Sequence, residues 1–487
     1  MNCAILKLEN NEISRHRSKN VIELGRGLSM ITHNRYTSRI CRGSVGSMGR
    51  WHFLAVGFLV LTAAPVFAAP DGALPAIASG PTNVQGIDIP TPKMPQPNAW
   101  DFYLKAAESE FKADDSPLDY ALQTGQPIEI KTAMGVVTRP VTENDKDVYL
   151  RRREEALRIF REGLRYEARK PAVRGDDIPF IGHSQMRELG RMLMVVSRLQ
   201  GERGDWVGAA TTSLDIFQLG RDITYGGITN LLAGSVQSMG RKPLRAALEH
   251  LDAAQSQAAA RRLEEIMTRG PSYAEVLEEE KWVVLSMMEY SMQTPEWRKM
   301  RAATPAAKLD FKALGFKNDK ELKQLRAVSD QQIASNYVAY MDAHIANARL
   351  PRGTAKTVPA IPNDPLNKSA NRPGLHEKVW TTAEIRKAHN ALLVATLALR
   401  SYKLEKGEYP ATLEAFAPQY LKAPPADPFS GATLRYRREG DKYLLYSIGP
   451  DGKDDAGKPI FDASRKANRH VAWPDSIGDI VAGANDS

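Results

Sequence analysis

Cysteine is almost missing from this chain of 487 residues: it has two, Cys3 and Cys41, both far upstream. The remainder is therefore without disulfide staples, thiolate metal sites or cysteine nucleophiles, and its stability must come from packing or from a bound ion. Long apolar runs are missing as well. The stretch from Phe53 to Ala64 is short, and a bilayer core of about 30 Å needs about 20 apolar residues. Histidine is sparse and unpatterned: His183, His250, His344, His376, His389 and His470 make no HExxH or His-x-His spacing, which argues against a zinc hydrolase. No GxxxxGK[ST] phosphate loop occurs. Excess positive charge is scarce where a polyanion would need it. The formal net charge is +9, but nine Lys/Arg against three Asp/Glu fall in Met1–Arg50, so no nucleic-acid partner is expected.

What is present is a globular composition, 43% hydrophobic and 25% charged, at a length suggesting two to four domains of about 150 residues each. Arg50, the apolar core Phe53–Ala64, the break at Pro65 and the small residues Val66, Ala68 and Ala69 read as a secretory signal peptide over 48–68, cleaved after Ala68. The only membrane contact expected is through that uncleaved peptide. Residues 1–47 are expected to be a non-native upstream extension, with translation starting at Met48. Residues 69–97, rich in Pro, Gly and Ala, read as a linker.

A helical domain is expected over 98–349. Asn98 is placed to cap a helix beginning at Ala99. A second helix is read over 145–168, its Arg- and Glu-rich face in solvent. Met186, Leu189, Leu193 and Val196 recur at helical spacing, Gly201 and Gly204 supply a turn, and Trp206, Ala209, Ala210, Ile216 and Phe217 begin a second stripe. Gly204, Asp205, Trp206 and Ala209 resemble the turn and second helix of a tetratricopeptide-type repeat, although Ser213 stands where that family usually has an aromatic. The resemblance implies a helical hairpin and a concave surface for a protein partner. Further helices are read at 228–239, 243–250, 253–269, 273–293 and 330–349, followed by a second linker over 350–374.

Over 375–465 an α+β module is expected. Thr381 or Thr382 caps a long helix whose Ile385, Ala388, Leu392, Val394, Leu397 and Leu399 make it apolar nearly all round, so it must be covered. Gly407 ends it, Asp427, Pro428, Phe429 and Gly431 make a tight turn, and two strands follow around Glu439, Gly440 and Asp441. Residues 466–487 are read as a C-terminal tail.

The order of "YKLEKGEYP", "DPFSG", "LRYRR" and "LLYSIGPDGKDD" resembles the periplasmic domain of the type II secretion major pseudopilin. The resemblance implies a long helix packed on an antiparallel sheet and a calcium ion held by the acidic loop, at Asp451, Asp454 and Asp455. Three carboxylates beside flexible Gly452 suit a hard cation, and Asp462 or nearby carbonyls would complete the shell. The alternative is a solvated turn. An EF-hand is disfavoured by Lys453 and Ala456. Pseudopilins carry their helix behind a short basic leader, whereas here it sits deep inside an exported chain, so the fold carries over and filament assembly does not.

One enzymatic near miss is present. Gly182, His183, Ser184, Gln185 and Met186 approach the Gly-x-Ser-x-Gly nucleophile elbow, but Met186 replaces the second glycine that relieves crowding there. Ser184 is read as a helix N-cap; the competing reading is a secreted serine hydrolase with His250 or His344 as base. His389 is read as a packed histidine. The expectation is a mainly α chain: a solenoid-like helical-hairpin domain, then a small α+β module, acting in the periplasm or outside a bacterium as a non-enzymatic scaffold or binding protein. A docking role on a secretion or pilus assembly is a further alternative.

Overall fold

Asn98, nearly fully buried, does more than start a helix. Its side-chain oxygen accepts from Trp100 N at 3.2 Å and from Arg169 N at 2.9 Å, and its amide donates to Arg169 O at 2.8 Å. One residue thus caps α1 (Ala99–Phe111) and ties it to the chain that follows α3 (Glu143–Gly163). The computed structural model describes residues 82–485 except 112–115, 133–134, 173–181, 225–226, 303–318, 351–355, 361–363, 365–366 and 368–374. The expected signal peptide, its upstream segment with both cysteines, and most of the second linker lie outside the described residues.

The described part of the first linker is docked rather than extended. Strands β1 (Asn83–Val84) and β2 (Ile87–Asp88) pair antiparallel, Val84 is buried, and Gln85 donates to Glu289 at 3.0 Å. After α1 come α2 (Ser116–Thr124) and a two-stranded ribbon, β3 (Ile128–Thr132) with β4 (Gly135–Arg139), neither of which the apolar spacing announced. Helix α3 starts two residues earlier than read, because Thr142 and Asp145 form a reciprocal capping box, and it ends at Gly163 rather than at 168. Its charged face is not wholly solvated. Arg153 is fully buried, bonded to Glu110 at 3.0 Å and to Asp119 at 2.5 Å.

Helices α4 (His183–Glu202) and α5 (Trp206–Asp222) form the expected hairpin, with Met186, Leu189, Leu193 and Val196 all buried. Gly204, at φ +82°, makes the turn that L side chains rarely adopt. Asp205 caps α5 through Gly208 N at 2.8 Å. Pro243, read as the start of a separate helix, lies inside one continuous α6 (Gly227–Leu248). The helix continues there without the hydrogen bond that proline cannot donate.

The α5–α6 contact is close because small residues line it. A Cβ on Gly220 would stand 2.4 Å from Gln237 Cγ and 3.0 Å from Ala233 O, and one on Gly240 would stand 2.9 Å from Ser213 O. The serine that replaces the repeat family's aromatic therefore fits this crossing. Gly220→Ala is expected to cost about 2 kcal/mol by overpacking, read as a lower urea midpoint with unchanged slope.

Helices α7 (Ala253–Thr268), α8 (Tyr273–Met292), α9 (Pro295–Arg301), α10 (Asp319–Arg326) and α11 (Asp330–Ala348) follow. The long helix α12 spans Leu375–Lys406 and so begins ahead of Thr381 and Thr382. Neither caps it: Thr382 Oγ1 donates back to Lys378 O at 2.8 Å, as threonine does inside a helix.

Helix α12 is covered on more than one side. Its residues from Leu392 to Leu399 share a core with Leu214 and Phe217 of α5, Leu244 of α6 and Leu263 of α7, and equally with Phe416, Leu434, Leu445 and Ile480 beyond it. The helical part and the α+β part thus meet in one apolar core. Strands β5 (Arg435–Glu439) and β6 (Lys442–Ser447) form the expected hairpin, Glu439 facing Lys442. The face packed on the core carries Leu434, Tyr436, Tyr443 and Leu445. Leu444 points the other way, against Gly457. A third strand, β7 (Ile480–Val481), pairs with β6. The segment read as a tail is therefore structural, and Asn485 pins it by donating to Ile460 O at 3.0 Å and His470 O at 2.8 Å.

Candidate functional site

The acidic loop after β6 was the expected ion site, and the carboxylates of Asp451, Asp454 and Asp462 are engaged with protein donors. Asp451 accepts from Lys453 N at 3.2 Å and Gly478 N at 3.3 Å. Asp454 pairs with Arg435 at 2.9 Å and accepts from Tyr446 Oη at 2.9 Å. Asp455 contributes its backbone N–H to Asp479 at 3.4 Å. Asp462 caps the short 3₁₀ turn Ala463–Asn468 and pairs with Arg465 at 2.7 Å. Its carboxyl is held below the usual range by Ser464 and then Arg465.

Among the described residues no three His, Cys, Asp or Glu side chains gather as a metal group. Asp454 and Asp462 have arginine counter-charges that a cation would displace. The melting temperature of the protein is therefore expected to be the same in millimolar calcium and in chelator. A calcium-dependent rise abolished by Asp451→Ala would place an ion on this loop.

The acid expected in the tight turn before β5 does more than turn the chain. Asp427 is fully buried. It accepts from Phe429 N at 3.0 Å, Ser430 Oγ at 3.0 Å, Ser447 Oγ at 2.7 Å and Ile448 N at 3.2 Å, which locks the turn to β6. Asp479 is likewise buried and accepts from Gly457 N at 2.7 Å; burial raises its pKa. Both act as backbone clamps.

Ser184 is the second residue of α4 rather than its N-cap, a place taken by Gly182 at φ +83°. Its hydroxyl bonds to Gln185 at 2.9 Å. The two histidines considered as bases have other neighbours: His250 stacks on Trp206 at 3.8 Å, and His344 lies 4.6 Å from the rings of Tyr340 and His376.

Sequence reasoning missed a polar seam. Where α6 faces α12 the apolar core is interrupted by Gln237, Arg241 and Arg245 from one helix and Arg386, His389 and Asn390 from the other. Asn390 donates to Gln237 at 3.1 Å across the seam. Arg241 is 7% exposed and His389 4%. His389 is packed, as read, and burial followed by the charges of Arg241 and Arg245 pushes its pKa far below the usual value. The available signal was Arg386, His389 and Asn390 set among the apolar positions Ile385, Ala388 and Leu392. In comparisons with known proteins, no family model, no curated protein and no solved structure matches this chain.

Proposed function

We propose that this protein is an exported, non-enzymatic scaffold or binding protein of the bacterial envelope, built by joining a pseudopilin-like module to a helical body that takes a protein partner. The observation that carries this reading is the burial of α12. Leu392, Leu393, Ala395, Leu397, Ala398 and Leu399 have no exposed surface, and their neighbours come from both halves of the chain. A helix so enclosed holds one molecule together and has no apolar face left for stacking into a filament. Among the described residues no helix is long and apolar enough to cross a membrane.

Two measurements test this together. Purified mature protein is expected to stay unassembled at high concentration by light scattering, and a fluorophosphonate probe is expected to leave Ser184 unlabelled. Stoichiometric labelling of Ser184 would replace the scaffold reading with a hydrolase, and filaments that disappear on substitution of α12 residues would restore an assembly role.

A further inference from the structure

The positive charge of this chain is unevenly placed. Of the formal +9, residues 1–50 hold +6, and residues 295–326 hold nine Lys/Arg against four Asp/Glu, or +5. Everything else together comes to −2. The α+β module gives the contrast: residues 435–479 carry nine Lys/Arg against eight Asp/Glu. A stretch with so much charge of one sign sets up a local field that attracts anions, whatever the net charge of the whole. Three of its lysines, Lys308, Lys312 and Lys317, fall outside the described residues, so the face considered is that of α9 and α10 alone.

Packing decides which of these charges meet solvent. Trp297 and Met300 of α9 and Leu322 and Leu325 of α10 are buried. Two arginines serve the fold: Arg301 of α9 donates to Leu325 O of α10, and Arg326 Nε of α10 donates to Met300 O of α9 at 2.8 Å. Each satisfies a carbonyl near the C-terminal end of the other helix. Arg298, Lys299, Lys320 and Lys323 are left exposed. Of these, Arg298, Lys299 and Lys323 have no ion pair among the described residues. Exposed cations on other helices stand beside carboxylates. Arg158 on α3 meets Glu155 at 2.7 Å, Arg269 at the end of α7 meets Glu265 at 2.6 Å, and Lys387 on α12 meets Glu384 at 2.9 Å. The outward charges of α9 and α10 lack that neutralisation.

The side-chain types select among anionic partners. Protein interfaces are depleted in lysine and built round apolar or aromatic anchors, and no large apolar side chain is exposed on the described part of either helix. Recognition of a single oxyanion draws on arginine forks, whereas lysine carries a compact, hydrated charge on a flexible stem. Three of the four exposed cations are lysines. They suit a surface that offers many anionic groups in no fixed geometry, where each Lys or Arg raises affinity about fivefold. We infer that α9 and α10 form a docking face for the surface of an anionic lipid bilayer, made by Arg298, Lys299, Lys320 and Lys323. This is a membrane contact beyond the uncleaved peptide expected from the sequence. The choice of lipid over nucleic acid rests on the reading of the protein as exported. Such a face lets a scaffold lie against a membrane without spanning it.

The test uses the full chain in co-sedimentation with vesicles of phosphatidylglycerol mixed into phosphatidylcholine, against phosphatidylcholine alone. Binding is read as the excess on the anionic vesicles, which subtracts anchoring by any uncleaved apolar peptide. The wild type is expected to show that excess and to lose it in high sodium chloride, as screening shortens the reach of its charges. Changing the four cations together, Arg298→Gln, Lys299→Gln, Lys320→Gln and Lys323→Gln, is expected to leave the melting temperature unchanged and weaken the excess binding about a hundredfold. A control variant removes four exposed cations from the α+β module, Lys442→Gln, Lys453→Gln, Lys458→Gln and Arg469→Gln, and is expected to bind as the wild type does. Equal binding by the wild type and the first variant would overturn the proposal. Equal loss in both variants would do the same, since it would mark an effect of net charge alone. Binding to polyglutamate or to nucleic acid, with none to vesicles, would overturn the lipid assignment. The scaffold reading is judged separately, by its light-scattering and labelling measurements.

Discussion

Arg153→Met is expected to lower the stability of this protein by about 3–5 kcal/mol at pH 7, the largest loss foreseen for a single side chain. The guanidinium is wholly enclosed: Nε meets Glu110 at 3.0 Å, Nη2 meets Asp119 at 2.5 Å, and the plane lies 3.7 Å above the Tyr149 ring. Methionine keeps the volume and removes the charge, so two carboxylates on α1 and α2 lose the cation that justifies their place near the core. Glu110 shows how finely this is balanced. Burial raises its pKa to about 7 even with Arg153 pulling the other way, and its Oε2 has no hydrogen-bond partner among the described residues.

Without the arginine, Glu110 would have only protonation as a way to become neutral. The deficit measured by urea unfolding is therefore expected to shrink as pH falls from 8 to 5. Arg153→Lys keeps the charge but loses the fork that reaches two acids at once, and should cost less. A loss for Arg153→Met under about 1 kcal/mol would put this trio in the class of ordinary surface pairs.

The parts of the fold that were legible in the sequence are those written within a few neighbouring residues. Asn98 capping α1, the stripe Met186, Leu189, Leu193 and Val196, and the Gly440–Asp441 turn between β5 and β6 each depend on local spacing. What was hidden depends on a partner far along the chain. Arg241 and Arg245, one turn apart on a helix, look like any solvated basic edge until α12 arrives some 140 positions later and encloses them. Arg153 reads as one more charge on a charged helix, and only the placement of α1 and α2 turns it into a buried cation. Strand β7 is two residues long, too short to show alternation, and exists because the edge of β6 is there to receive it. The threonines at 381 and 382 are good caps by type, but the helix was already running when it reached them. The acidic loop drew attention through its composition. Its counter-charges, Arg435 and Arg465, could be assigned to it only in three dimensions.

Acid is expected to act on this protein through two partly buried groups whose effects oppose each other. His376, at the start of α12, packs against α8, where Tyr273 Oη donates to its carbonyl at 3.1 Å, and against α11, where His344 lies 4.6 Å away and Tyr340 5.9 Å. Burial, and then the neighbouring His344, lower its pKa to about 4. As pH falls below about 6.5 the unfolded chain protonates this imidazole while the folded one does not. Stability is therefore lost between pH 7 and pH 4, by on the order of 3 kcal/mol. Glu110 runs the other way. Folded, it keeps its proton up to about pH 7, whereas the unfolded carboxyl releases it near 4.5. Its contribution is present at low pH and is lost as pH rises through that window. The wild type should consequently show a shallow pH dependence that hides both terms. Against it, His376→Asn should gain stability as pH falls from 7 to 4, and Glu110→Gln should gain as pH rises from 4.5 to 7, each by about 3 kcal/mol. If the three curves of stability against pH run parallel, neither group titrates differently in the fold than in the open chain, and the burial argument for both fails.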